Sequence, residues 1–431
     1  MIKLKEVFTV KKFTIGVIAA SIILSISFIP TRAYLKNNIS DSIYNSKSDM
    51  AKSLAQTTVS TYSNKLLRHI GIVKLYNGEY IIVMNNIKEK DILDTIRDIE
   101  ENQGYEEPRN IEIIKPIDRT TVNEEFKLED INENNTVTVN DPGHKYEWYI
   151  PYTQADKAWS LINQKKEVKV AVLDTGVDYT HPDLENRVDV ENGYNFVDNN
   201  YDTMDYNGHG THISGIISAK ANNEVGLVGI TGNLDVKILP VKVLDESGYG
   251  DTISIVKGII FAVDSGADII NLSLGVQAKS ELIAKAIEYA KSKGVFVVAA
   301  AGNDNENSDN FSPAGDGAFT VAAMNYNYRK AYFSDYGNSI KVAAPGVQIL
   351  STVPGGYEAW DGTSMAAPVV SGIAAMLKAE KPDLSLSEME DVLQSTATDI
   401  MYEGRDQTSG YGLVNAYSAL KKVKEMEKVS N

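Results

Sequence analysis

Beyond residue 140 the chain is a succession of apolar runs of strand length: Val168–Leu173, Ile238–Leu244, Asp268–Leu274, Val295–Ala301, Phe319–Ala323 and Lys341–Ala344. Stretches with helical spacing lie between them, such as Ile253–Ser265 and Ser280–Lys293. A strand with one wet face alternates apolar and polar residues. These runs are apolar nearly throughout, so both of their faces are expected to be covered. Such strands alternating with helices predict an α/β fold over residues 141–425, with a mostly parallel buried sheet and helices on both faces in three layers. In sheets of this kind, sites collect at the carboxyl ends of the strands.

The first part of the chain has a different pattern. Lys3, Lys5, Lys11 and Lys12 precede an apolar run, Phe13–Ile29, and Pro30, Thr31, Arg32 and Ala33 follow it. That order is that of an export signal, and the run is also long enough to stay as an anchor. Residues 1–33 are therefore read as a signal peptide or membrane anchor, with the protein secreted or held at the cell surface. Ile72–Tyr76 and Tyr80–Met84 read as strands joined by Asn77-Gly78, a hairpin signal. Lys88–Asn102 puts Ile92, Leu93, Ile96 and Ile99 on one helical face, and Ile111–Ile114 reads as a further strand. An acidic, asparagine-rich linker, Lys127–Asn140, ends this small α/β unit of residues 34–140 and marks a protease-accessible boundary.

Charge narrows the function. A net charge of −16 and a pI near 4.9 argue against nucleic acid and anionic lipid surfaces, both of which need basic patches. The chain has no cysteine, which excludes disulfides, thiolate catalysis and cysteine-held zinc. It has five histidines, so a histidine-dependent site has few candidates.

Candidate chemistry begins at Gly362-Thr363-Ser364-Met365-Ala366-Ala367-Pro368, which opens an uncharged helix of small residues. Ser364 there is either a capping residue on a buried helix or a nucleophile aimed at by backbone N–H groups. Val168–Leu173 runs into Asp174-Thr175-Gly176, an acid at a strand end or a turn residue. Asp-Thr-Gly also occurs in aspartic peptidases, but those need two carboxylates and this tripeptide occurs once. Asn207-Gly208-His209-Gly210-Thr211-His212 opens another small-residue helix. Its histidines are three apart with no intervening glutamate, unlike a His-Glu-x-x-His zinc site. His209, between glycines, is the better general base, and His212 reads as structural. Val295–Ala301 leads into Gly302-Asn303, whose side-chain amide suits an oxyanion donor or a turn. No histidine follows Ser364, which rules out the Ser–acid–His order of α/β-hydrolases. The order left on an α/β fold is Asp, His, Ser.

At this point the chain resembles the subtilisin-like serine peptidases over about Asp141–Lys421. The segments that carry the resemblance are Val170–Asp178, His181–Leu184, Gly208–Gly215, Ala299–Asn303 and Gly362–Pro368. The resemblance implies a serine endopeptidase with Ser364 as nucleophile, His209 as base, Asp174 as its orienting acid and Asn303 as oxyanion donor. The alternative is a catalytically silent binding or regulatory homologue. It further implies that Ser273, Leu274 and Gly275, with Ser247, Gly248 and Tyr249, pair with an extended peptide or protein substrate. Asp304 and Phe311 fall near the primary specificity pocket.

Structural Ca2+ is implied too, held by Asp183, Asn223, the carbonyls of Ala221, Val225 and Leu227, and Glu147. A second acidic cluster, Asp198, Asp202 and Asp205, is similar to a further calcium loop of some relatives. By the same resemblance, residues 34–140 are a propeptide that assists folding, fills the cleft and is removed near Asn135–Asp141. The mature enzyme is expected to be a monomer.

Overall fold

The computed structural model describes residues 70–74, 80–84, 111–113, 119–121 and 139–430. The chain divides into two compact units, Met1–Glu106 and Glu107–Asn431. In the first, β1 (Ile70–Lys74) pairs antiparallel with β2 (Tyr80–Met84). The expected helix at Lys88–Asn102 and the export or anchor segment fall outside the described residues.

The second unit contains β3 (Ile111–Ile113), β4 (Arg119–Thr121), β5 (Val168–Asp174), β6 (Tyr194–Asn195), β7 (Val236–Lys242), β8 (Tyr249–Gly250), β9 (Ile269–Leu272) and β10 (Leu274–Gly275). β11 (Phe296–Ala300), β12 (Phe319–Met324), β13 (Ile340–Pro345), β14 (Ile349–Val353) and β15 (Gly356–Trp360) follow. Its helices are α1 (Tyr149–Tyr152), α2 (Ala155–Trp159), α3 (His209–Ser218), α4 (Thr252–Asp264), α5 (Glu281–Ser292), α6 (Thr363–Glu380), α7 (Leu386–Ser395) and α8 (Ala416–Ser430).

Seven strands form the central sheet in the order β13-β12-β11-β9-β5-β7-β6, every pair parallel. Successive side chains of β5 point to opposite faces, and the core divides accordingly. Val168, Val170 and Val172 pack with Ile213 of α3 and Val369 and Ile373 of α6. Ala171 and Leu173 pack on the other side with Ile255 and Ile259 of α4 and Ile283 and Ile287 of α5. This is the three-layer architecture expected from the apolar runs. Asp251 and Ser280 cap α4 and α5 by accepting backbone N–H bonds from Ser254 and Ile283. The central helix α6 is buried along its whole length, as a stripe of small residues requires if it is to lie close on the sheet. Two small antiparallel sheets, β10-β3-β8 and β14-β15-β4, border the strand ends that carry the site.

Candidate active site

β5 ends on Asp174 and α3 starts on His209, and the pair meets in the interior with both residues fully buried. His209 Nδ1 lies 2.8 and 2.9 Å from the two Asp174 carboxylate oxygens. The Thr175 N–H donates to Asp174 Oδ1 at 2.7 Å and fixes the carboxylate plane. This close approach requires glycine at position 210, where a Cβ would stand 2.0 Å from the Gly176 carbonyl oxygen and 3.1 Å from the Asp174 Cβ. Asp205 anchors the turn ahead of His209. Its Oδ1 accepts from the Asn207 and Gly208 N–H groups and the Thr175 hydroxyl, each at 2.9 Å. Its Oδ2 accepts from the Thr211 N–H at 2.9 Å and the Thr211 hydroxyl at 2.6 Å. A buried carboxylate so bonded satisfies the first turn of α3 in place of a side-chain cap from Gly208.

Ser364 occupies the first turn of α6 with its side chain buried. Pro368 explains part of its setting. Proline has no N–H to give the carbonyl four residues back, so the Ser364 oxygen loses its helical partner. The Ser273 hydroxyl donates to that oxygen at 3.0 Å instead. The Ser364 hydroxyl in turn donates to the Ser273 carbonyl at 3.3 Å. Behind them the Asn271 amide donates to the Ser273 hydroxyl at 3.0 Å and accepts from Ser371 at 2.8 Å. A buried polar chain thus runs from β9 to α6 and holds the serine in place.

Asn303, just past β11, accepts at Oδ1 from the Thr363 N–H and hydroxyl, both at 2.9 Å. A backbone N–H can only donate, so this end of the amide is its oxygen and the two N–H donors point the other way. The Gly302 N–H donates to the Thr363 hydroxyl at 3.1 Å, completing the tie between this turn and the head of α6. Asp335 secures the next residues by accepting from the Asp304 and Glu306 N–H groups at 2.9 and 2.8 Å. Burial, added to by the charges of Asp304 and Glu306, pushes the Asp335 carboxyl up to about 6. Asp304 itself is exposed.

His209 Nε2 is buried without a hydrogen-bond partner among the described residues. The imidazole is therefore held at one nitrogen and unengaged at the other, as a general base needs before substrate arrives. Trp360, in the segment leading to Ser364, stacks on His209 at 6.2 Å and 23° and on His212 at 4.4 Å and 7°. His212 donates from Nε2 to the Glu358 carbonyl at 3.1 Å, which suits its structural reading.

The edges expected to hold an extended peptide already carry a strand. β3 lies antiparallel between β8 and β10, with Glu112 opposite both Tyr249 and Gly275. Of the predicted edge residues, Leu274, Gly275 and Tyr249 are in the pairing. Ser247 and Gly248 instead form the turn before β8, with the Gly248 N–H donating to the Asp245 carbonyl at 3.0 Å.

The residues expected at the cation loop converge. Asp183 accepts from Asn223 Nδ2 at 2.9 Å and the Leu227 N–H at 2.7 Å. Glu147 accepts from the Tyr149 hydroxyl at 2.8 Å and lies 3.1 Å from His144 Nδ1. Burial pushes both carboxyls above their ordinary range. Asn223 Oδ1 accepts from the Val225 N–H at 3.0 Å. No group of three or more acidic, histidine or cysteine ligands occurs among the described residues. The second predicted cluster does not hold together, because Asp205 is spent on the α3 turn while Asp198 bonds Asn195.

The supporting roles of Asp205, Thr363, Asn271, Ser371 and Asp335 escaped the sequence reading, which placed Asp205 in the second acidic cluster and Thr363 only within the Ser364 motif. Only Asn271 had a usable signal, as an amide inside an apolar strand.

A family model described as the subtilase family matches residues 165–412. The thermophilic serine proteinase of Bacillus sp. (strain AK1) is 43% identical over 286 residues, covering 66% of this chain and 69% of that protein. Thermitase of Thermoactinomyces vulgaris is 40% identical over 285 residues, covering 66% of this chain and 99% of that protein. Among solved structures, a protease from Pseudoalteromonas arctica PAMC 21717 aligns with a TM-score of 0.60 at 33% identity, covering 67% of this chain and all (100%) of that one. With this fold and these matches, the chain belongs to the subtilase family and is a serine endopeptidase of the subtilisin type.

Proposed function

We propose that Asp174, His209 and Ser364 form the catalytic triad, with Asn303 and the backbone N–H of Ser364 binding the oxyanion. The observation that carries this is the buried Asp174 carboxylate holding His209 Nδ1 through both oxygens while Nε2 stays unengaged. A substrate lies as a strand between β8 and β10, so backbone pairing binds it and side-chain pockets discriminate. Ser364 Oγ attacks the carbonyl carbon as His209 Nε2 takes its proton. The negative oxygen is met by Asn303 Nδ2 and the first-turn N–H groups of α6. His209 then protonates the leaving amine, the C–N bond breaks, and water enters by the same route to free the acid and restore Ser364. Asp174 stays ionised and stabilises the imidazolium throughout.

The reading includes export through residues 1–33, supported by their basic–apolar–small order, and synthesis as a precursor whose N-terminal unit is removed. A fluorophosphonate probe tests the centre. It should label the processed enzyme on Ser364 alone, and absence of labelling in a folded, processed sample would sink the proposal.

The cation loop suits a hard dication. Asp183 and Glu147 are buried, and neither meets a lysine or arginine among the described residues. Ca2+ held there by Asp183, the Asn223 side chain, Glu147 and loop carbonyls would neutralise this charge and rigidify the loop. Chelation with EGTA is expected to lower the melting temperature by several degrees, equivalent to about 2.7 kcal/mol at a hundredfold excess of ion over Kd. In the cation-free protein both raised carboxyls make the folded state relatively more stable as pH falls, because protonation removes a buried charge. Added Ca2+ should reverse that trend as pH rises above the ordinary carboxylate range, because the ion binds the ionised carboxylates. A melting temperature unmoved by EGTA would refute the site.

A further inference from the structure

The turn that carries Asn303, residues 301–306, is neither helix nor strand, so its amide has to be aimed by contacts from elsewhere in the fold. Thr363 holds the tip, donating to Asn303 Oδ1 from its N–H and its hydroxyl, both at 2.9 Å. The chain on either side of Asn303 is held by Asp335. Its N–H donates to the Gly302 carbonyl at 3.0 Å. Its Oδ1 accepts from the Asp304 N–H at 2.9 Å and the Glu306 N–H at 2.8 Å. Asn303 thus stands between two residues tied to the same anchor. The approach is close: Gly302 has φ +121°, and a Cβ there would stand 2.0 Å from Asp335 Oδ2.

Asp335 is fully buried, and its Oδ2 has no hydrogen-bond partner among the described residues. Asp304 and Glu306 bring like charges to it, and Lys330 is the cation on that side. Burying a carboxylate in this way is costly. What it gains is two N–H bonds to an anion, which are shorter and stronger than bonds to a neutral oxygen. Packing alone would be served as well by an uncharged side chain.

We propose that Asp335 is the positioning residue of the oxyanion site, setting the direction of the Asn303 amide by holding Gly302 and Asp304. This rests on the reading of Asn303 as oxyanion donor and adds what aims it. A donor helps only if it meets the oxygen where negative charge develops, and a misplacement of about 1 Å can cost on the order of 100-fold in rate. Substrate binding depends much less on that alignment, so the effect belongs in kcat and not in KM.

The test is a double-mutant cycle on processed enzyme at about pH 8, where the carboxylate is ionised, with rates divided by the Ser364 that fluorophosphonate titrates. Asp335→Ala is expected to lower kcat about 100-fold and to move KM less than about threefold. Asp335→Asn keeps an oxygen for the Asp304 and Glu306 N–H groups without the charge, so its kcat should fall between the two. In an Asn303→Ala background, Asp335→Ala should cost less than about threefold, because no amide is left to aim. Where Asp335→Ala does not fold, the same cycle run with Asp335→Asn decides, its smaller loss again vanishing beside Asn303→Ala. A kcat unmoved by Asp335→Ala, a loss confined to KM, or a loss of equal size in the Asn303→Ala background overturns the role while leaving Asn303 as donor. If Asn303→Ala alone leaves kcat unchanged, the donor reading falls and the role of Asp335 with it.

Discussion

Ser364→Ala is expected to lower kcat by about 10⁶ while leaving the fold in place, the size known for the corresponding serine of subtilisin. The structural cost is small. The side chain is buried, and its hydroxyl makes a 3.3 Å bond to the Ser273 carbonyl, so its loss costs on the order of 1 kcal/mol. The Ser273 hydroxyl keeps its bond to the residue 364 carbonyl, because that bond depends on Pro368 and not on the serine side chain. On the proposed mechanism chemistry suffers far more, since the nucleophile that His209 would activate is gone. A residual acceleration of about 10³ over water should survive from the Asn303 amide and strand pairing of substrate. Turnover of a chromogenic peptide, set beside a melting curve, measures both effects. Activity within tenfold of wild type in the folded variant would place the nucleophile elsewhere.

Asp174→Asn is the second large effect, a drop of about 10⁴ in kcat with little change in stability. The Thr175 N–H donates to Asp174 Oδ1 and would select the amide oxygen for that position in the variant. The NH2 group then falls where Oδ2 now stands, 2.9 Å from His209 Nδ1. An N–H there favours an unprotonated Nδ1, so the proton moves to Nε2, the atom that must accept from Ser364. The wrong tautomer and the missing negative charge together remove about 5 kcal/mol of transition-state stabilisation. The check is kcat/KM against pH, with circular dichroism for the fold. An unchanged rate would mean that the carboxylate only fills space.

Much of this arrangement is local in the chain. Apolar runs such as Val295–Ala301 become strands because their residues pack on both faces, so the layers were legible without contacts. Asp174, His209, Asn303 and Ser364 stood out as candidates for a related reason. Each stands at a strand end or helix start beside small residues, in an order that excludes other hydrolases. Asp205 was misread as part of a cation cluster, because an acidic stretch shows charge but not which carboxylate is buried. Asp335 lies 32 residues beyond Asn303 in the chain, at positions 335 and 303, and only folding brings it beneath that loop.

The sequence by itself determined the sheet-and-helix pattern and the candidates for the site, because both rest on residue type and short spacing. Tertiary structure alone decided which groups support that chemistry: Asp205 under α3, Asn271 and Ser371 behind the serine, and Thr363 locking the Asn303 amide. It also decided which strand fills the cleft. Strand pairing is made by backbone groups that every residue carries, so Ile111–Ile113 differs from any other short strand only in what it lies against.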